Sequence, residues 1–167
     1  MSLFDKFKKK EAETVQWPVL IGAAVNGTVI PMEQIPDEVF SAGVLGPCIG
    51  IEPEDGKICA PADGKIIQLA DTLHAVGLQL AGGVEVLIHV GIDTVEMNGD
   101  GFRSMVKEGA TVKAGTQLLE MDIAKVQAAG HPAAVITIVT NADDFASVEP
   151  VASGDIKACD TLFRVSK

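Results

Sequence analysis

The chain has 167 residues, of which 47% are hydrophobic, and 23 acidic side chains oppose 13 basic ones for a net charge of −10. That size supports one domain with a sizeable core, and the acidic balance excludes nucleic acid as a partner and favours a basic protein. No apolar run is long enough to span a bilayer, no signal peptide is evident, and Cys48, Cys59 and Cys159 are odd in number and lack metal-site spacing, so reduced thiols in the cytoplasm are expected.

Residues 1–16 stand apart. Met1-Ser-Leu-Phe-Asp-Lys-Phe-Lys-Lys-Lys carries four lysines against one aspartate, and Leu3, Phe4 and Phe7 fall on one helical face. Two readings compete: an amphipathic segment that touches anionic lipid, or a disordered tail with chance patterning. The globular domain is expected over residues 17–167. Val25 to Ile30 reads as a strand. Pro36 to Gly43 reads as one helical turn, with proline at its start, acids early and glycine after. Ile49 to Ile51, Ile66 to Leu69, His74 to Leu80 and Val84 to Val90 read as strands from their β-branched density and alternation. Gly101 to Val106 reads as a second short helix, and Ile123 to Ala129 leans helical. Gln117 to Met121, Val135 to Val139 and Leu162 to Val165 are late strands.

Seventeen glycines and eight prolines favour many short strands over long helices. A faint repeat supports this. Ala24-Val-Asn-Gly27-Thr-Val-Ile30 resembles Pro61-Ala-Asp-Gly64-Lys-Ile-Ile67, a polar-glycine turn feeding a strand in each copy. Val106 to Leu118 alternates turn glycines with apolar residues. The expected fold class is all-β, an antiparallel sandwich or flattened barrel with repeated corners and a few helical turns.

The chemistry concentrates on two histidines. A hairpin through Ala81-Gly82-Gly83 sets the strands from His74 and to Val90 side by side, so His74 at the start of one meets His89 at the end of the other. A neutral imidazole is nucleophilic when its other nitrogen is held. The Gly91 carbonyl is the candidate holder for His89 Nδ1–H, which leaves Nε2 for attack on a phosphoryl group. His74 would then hydrogen-bond phosphate oxygens, with the Thr72 hydroxyl fixing its tautomer. The bland alternative makes His89 a strand cap. His131, before Pro132, reads as an exposed loop residue. A metal reading takes His74, His89 and Asp93 as three zinc ligands in a hydrolase, but no His-x-His, His-Glu-x-x-His or Cys-x-x-Cys spacing occurs. Val39 and Phe40 either face outward as an apolar docking patch or pack their turn onto the sheet. Asp37 and Asp93 would rim the patch and meet arginines on a basic partner, or serve as loop acids, with Asp37 as a helix cap.

The run Val84-Glu-Val-Leu-Ile-His89-Val-Gly91-Ile-Asp93-Thr94-Val95 closely resembles the active-site signature of glucose-family enzyme IIA, a component of the bacterial sugar phosphotransferase system. Pro36-Asp-Glu-Val39-Phe40, Ala60-Pro-Ala-Asp63-Gly64, Thr72-Leu-His74-Ala75, Gly99-Asp-Gly101-Phe102 and Glu108-Gly109 agree in order, from about residue 20 onward. The resemblance implies a duplicated-hybrid-motif β-sandwich and a phosphotransferase role. His89 would accept a phosphoryl group from the carrier HPr and pass it to the IIB domain of a sugar permease. His74 would assist, and Thr72 would orient His74. Val39, Phe40 and Val95, with Asp37 and Asp93, would form the docking patch. The resemblance implies no required cofactor, but a zinc ion at His74 and His89 when a regulated partner supplies a carboxylate. The start resembles the amphipathic tail of free-standing members, which places a cytoplasmic, monomeric subunit at the inner face of the membrane. Gly46-Pro47-Cys48, Ala23-Ala24, Ala70 and Leu87 depart from the family pattern and bear on partner preference. The alternative from another class is a regulatory binding protein that uses the same surface without turnover.

Overall fold

The computed structural model describes residues 15–167. The expectations for the basic tail fall outside that range, apart from Val15 and Gln16. Among the described residues there are fourteen strands: β1 (Val19–Gly22), β2 (Gly27–Ile30), β3 (Cys48–Pro53), β4 (Lys57–Cys59), β5 (Gly64–Leu69), β6 (Ala75–Leu80), β7 (Glu85–Val90), β8 (Phe102–Ser104), β9 (Thr111–Val112), β10 (Gln117–Met121), β11 (Val135–Val139), β12 (Ser147–Pro150), β13 (Asp155–Ile156) and β14 (Thr161–Ser166). Two short helices interrupt them, α1 (Glu38–Ser41) and α2 (Ile123–Ala128). The pairings form an eight-stranded sheet in the order β13-β2-β3-β11-β7-β6-β5-β9, with two three-stranded sheets, β1-β14-β12 and β4-β10-β8. Every pairing is antiparallel. This is the flattened all-β sandwich that the glycine punctuation and the repeat predict.

Burial explains the order. All five residues of β11 are buried, which suits a Val-Ile-Thr-Ile-Val run at the sheet centre between β3 and β7. On β7, Val86, Ile88 and Val90 are buried, while Glu85, Leu87 and His89 on the other face are half-buried. The core is aliphatic, built from Ile21, Ile51, Ile58, Ile66, Leu78, Ile88, Leu118, Leu119 and Leu162, with Phe163 among the largest fully buried side chains. A smaller cluster gathers Ile35, Phe40, Cys48, Ile92, Ala134, Ile136 and Ile138. It lies on the His89 side of the central strands, because Ile136 pairs with His89 across the ladder.

Three differences from the sequence reading stand out. Residues 102–104, read as part of a helix, form β8. Gly99 and Gly101 have φ of +84° and +89° and deliver an extended chain, in which Phe102 is buried and Arg103 points out to Glu120 on β10, 2.7 Å away. The strand read over Val25 to Ile30 begins at Gly27, and an unforeseen strand, β1, precedes it. β1 owes its existence to β14 at the far end of the chain, where Val19 pairs with Val165. Among the described residues no helix is long and apolar enough to cross a membrane.

Candidate active site

The site grows from the β6–β7 hairpin. Gly82 and Gly83 take φ of +68° and +77° and close the connection over Ala81–Gly83, which fixes the register at Ala75 opposite His89. His74 lies one residue before β6, and its carbonyl accepts from Val90 N at 2.7 Å. The two imidazoles therefore meet, with ring centroids 5.1 Å apart and planes at 73°.

Each ring is held through Nδ1. His89 Nδ1 lies 2.7 Å from the Gly91 carbonyl oxygen and so donates to it. His74 Nδ1 lies 2.5 Å from Thr72 Oγ1. A carbonyl only accepts, which settles the His89 tautomer: Nδ1 carries the proton and Nε2 the lone pair. The Gly91 carbonyl is itself fixed. Gly91 N donates to Ala134 O at 2.9 Å and Ile92 N to Pro132 O at 3.0 Å. Thr94, fully buried, donates from Oγ1 to Val90 O at 2.6 Å, and its methyl packs under Gly91. Gly91 has φ +79°, and a Cβ there would stand 2.4 Å from Thr94 Cγ2. Sequence reading missed this role of Thr94, because a threonine in a turn carries no local sign that it will be buried.

Electrostatics favour a neutral imidazole at His89. Burial pushes His89 below its usual value, and His74 adds to that; the Gly91 carbonyl, Asp37 and Asp93 pull the other way. Burial also lowers His74. Both shifts favour the uncharged form of each ring.

The surroundings divide the expected docking residues. Asp37 caps α1: its Oδ1 accepts from Val39 N at 2.9 Å and Phe40 N at 3.1 Å. Val39 and Val95 are exposed, at 45% and 48%. Phe40 is not part of an outward patch. It is 6% exposed and packs its ring against His89, centroids 5.0 Å apart and 61° between planes. A four-residue helix has one inward position, and Phe40 takes it, so the aromatic braces the His89 ring. Val44, 69% exposed, was not expected; its N–H bonds the Val39 carbonyl at 3.1 Å and extends the apolar surface. Asp93 sits in the left-handed region at φ +59°. His131 is half-buried rather than exposed, with Nε2 3.8 Å from a Glu96 carboxylate oxygen. The three-ligand zinc reading is corrected. Among the described residues no group of three or more His, Cys, Asp or Glu side chains could hold a metal, so Asp93 does not join the histidine pair.

Residues 19–145 match the family described as phosphoenolpyruvate-dependent sugar phosphotransferase system, EIIA 1. The chain is 40% identical over 157 residues to a glucose-specific EIIA component from Halalkalibacterium halodurans, covering 94% of this chain and 90% of that one. It is 46% identical over 132 residues to a beta-glucoside-specific EIIBCA component from Dickeya chrysanthemi, covering 79% of this chain but 21% of that longer one. The glucose permease IIA from Mycoplasma capricolum superimposes with a TM-score of 0.79 at 30% identity, covering 89% of this chain and 96% of that one. With the family match running through most of the sandwich and the histidine pair, the chain belongs to the EIIA 1 family, the phosphocarrier components of the phosphoenolpyruvate-dependent sugar phosphotransferase system.

Proposed function

We propose that His89 is the phosphoryl acceptor of this phosphocarrier, loaded by phospho-HPr and unloaded by the IIB domain of a sugar permease. The observation that carries this is the 2.7 Å contact between His89 Nδ1 and the Gly91 carbonyl, beside the His74 ring. It leaves Nε2 as the free lone pair, aimed from a rigid sheet. In the forward step Nε2 attacks phosphorus, the donor's P–N bond breaks, and the donor imidazole leaves with the bonding pair. The phosphoryl group then carries about two negative charges. With the Thr72 hydroxyl donating to Nδ1, His74 presents Nε2–H to the phosphoryl oxygens, both while the bond forms and while it breaks. Thr72 is thus a positioning residue that acts through His74.

Val39, Val95 and Val44 supply the apolar part of the docking surface, with Asp37 and Asp93 at hand to meet a basic partner. The reaction needs no bound cofactor. The paired Nε2 atoms would take two positions of a zinc ion if a regulated partner brought a carboxylate, an added control rather than a step of transfer. The protein acts as a monomer in the cytoplasm, with its basic tail at anionic lipid.

The test mixes the protein with phosphoenolpyruvate, enzyme I and HPr and follows intact mass, with His89→Gln alongside. One added, acid-labile phosphate that is absent from the variant supports the assignment. No added phosphate with active controls puts the regulatory reading first. His74→Gln should still be labelled but should transfer poorly to IIB, and normal transfer would refute its role.

A further inference from the structure

The duplicated motif brings two cysteines together. Aligning the repeat by its polar-glycine turns and extending it two residues back sets Gly22 against Cys59. A second equivalent pair is Val112-Lys-Ala-Gly115-Thr116 and Ile156-Lys-Ala-Cys159-Asp160. The hydrogen bonds repeat in step. Gly22 N donates to Pro61 O at 2.8 Å, and Cys59 N to Ala24 O at 2.7 Å. Gly115 N donates to Ala60 O and Cys159 N to Ala23 O, both at 2.9 Å. Ala114 N donates to Asp63 at 2.8 Å, and Ala158 N to Asn26 at 2.7 Å. Such reciprocal exchange is what an approximate two-fold axis produces, and Gly22, Cys59, Gly115 and Cys159 surround it.

The glycines make room for the cysteines. A Cβ on Gly22 would fall 2.8 Å from Cys159 Cα, and one on Gly115 would lie 3.5 Å from Cys159 Sγ. Cys159 holds φ +73° where its counterpart Gly115 holds +85°, so a side chain occupies a backbone conformation that its twin leaves to glycine. Cys59 Sγ lies 3.9 Å from the Ala23 carbonyl oxygen, which also accepts from Cys159 N at 2.9 Å, and Cys159 Sγ lies 4.0 Å from the carbonyl oxygen of Ala60, the residue after Cys59, so the two thiols share one small pocket of backbone. Cys159 is exposed and Cys59 is buried.

We propose that Cys59 and Cys159 are a reversible redox pair, closed to an intramolecular disulfide by a low-molecular-weight disulfide. The exposed Cys159 thiolate attacks one sulfur of the reagent. A mixed disulfide forms, the reagent's S–S bond breaks, and one thiolate leaves. Cys59 passes its proton to a departing thiolate and attacks Cys159 Sγ, expelling the second thiolate. Two protein thiols lose two electrons, and the reagent becomes two thiols. Burial pushes the Cys59 thiol up to about 12, so the second step is the slow one. Cys48 stays out: it is buried, pushed up to about 11, and donates to the Phe40 carbonyl at 3.2 Å. The bond ties together residues far apart in the chain and shares no residue with the His89 site. Oxidation therefore stabilises the fold and leaves phosphorylation intact.

The experiment treats the full chain with oxidised glutathione and reads intact mass and non-reducing peptide maps. The expected result is a transient glutathione adduct, then a species two hydrogens lighter with Cys59 and Cys159 in one linked peptide. Its thermal midpoint is higher and returns with dithiothreitol. Cys59→Ser and Cys159→Gly abolish ring closure, and Cys48→Ser does not. Cys159→Gly restores the residue of the twin turn, so it folds, and circular dichroism checks that. A persistent adduct, a link through Cys48, an intermolecular dimer as the main product, or no oxidation would each overturn the proposal.

Discussion

Gly91→Ala isolates the part that holds the His89 ring. At φ +79° a side chain costs about 1–2 kcal/mol from the left-handed backbone alone. The new Cβ would also stand 2.4 Å from Thr94 Cγ2, far inside contact, with Thr94 Oγ1 at 3.2 Å and the Pro132 carbonyl at 3.3 Å on its other sides. Overpacking of that kind typically costs about 1–3 kcal/mol. The sum, about 2–5 kcal/mol, is a large share of the stability of a domain this size. The strain has one soft exit, which is to move the Gly91 peptide and with it the oxygen that holds His89. Gly91→Ala should therefore lower the urea midpoint and slow phosphorylation together. Thr94→Ser removes the offending methyl yet keeps the hydroxyl that bonds Val90. In the Gly91→Ala background it should recover about 1–3 kcal/mol, although alone it costs stability through the lost methyl. The assay is a double-mutant cycle by urea unfolding, with phosphorylation rates from intact mass. If Gly91→Ala unfolds like the parent, or if the two changes are additive, Thr94 and Gly91 are not packed as described.

Three further outcomes follow from the same geometry. Asp37→Ala should cost about 1 kcal/mol through loss of the α1 cap, whereas Asp37→Ser keeps a capping oxygen; urea unfolding separates the cap from the charge, and equal losses would refute the capping role. His74 and His89 have folded values below 6.5, so the unfolded chain binds more protons between 6.5 and those lowered values. Stability contributed by neutral burial is thus full above 6.5 and falls as pH drops through that window; the pH slope of the urea midpoint should flatten in a His74→Gln, His89→Gln double variant, and an unchanged slope would refute it. Thr137, fully buried in β11, has a hydroxyl with no hydrogen-bond partner among the described residues, so Thr137→Val should raise stability by about 1–3 kcal/mol in the same assay, and a loss would show the hydroxyl to be satisfied.

The histidine site was legible because its signals are local. Alternation fixes which residues share a face, a glycine turn fixes the register, and a carbonyl two residues on is within reach of an imidazole. The α1 cap was legible for the same reason, as was β11, a continuous β-branched run between turn residues. What failed to show depends on distant chain. β1 is a strand because β14 lies beside it. β8 is a three-residue strand set by two positive-φ glycines and by its pairing with β10, and a window that short does not separate strand from helix. Phe40 read equally as an outward or a packed residue, because a one-turn helix shows no period. Its burial follows from the Ile35 and Ile136 cluster beneath it, which only the assembled sheet creates. Cys59 and Cys159 read as unrelated thiols until the phase of the repeat is known.

The chemistry of a carrier imposes a balance that the site's charges meet. A phosphohistidine held too well is a dead end, and one held too poorly never forms. Asp37 and Asp93 favour the protonated form of His89, so under the proposed assignment they would oppose a phosphoryl dianion at Nε2. The same carboxylates draw in a basic donor, whose cations offset that repulsion while the partner is seated. Under that assignment, once the donor leaves, the phosphoryl group would face two acids and one neutral imidazole, His74, which would donate a hydrogen bond without adding a charge. The loaded state is thereby left energetic, and the next basic partner to dock lowers the barrier in the other direction. A histidine pair with its Nδ1 atoms tied back, flanked by acids and exposed valines, is suited to passing a phosphoryl group on and not to keeping it.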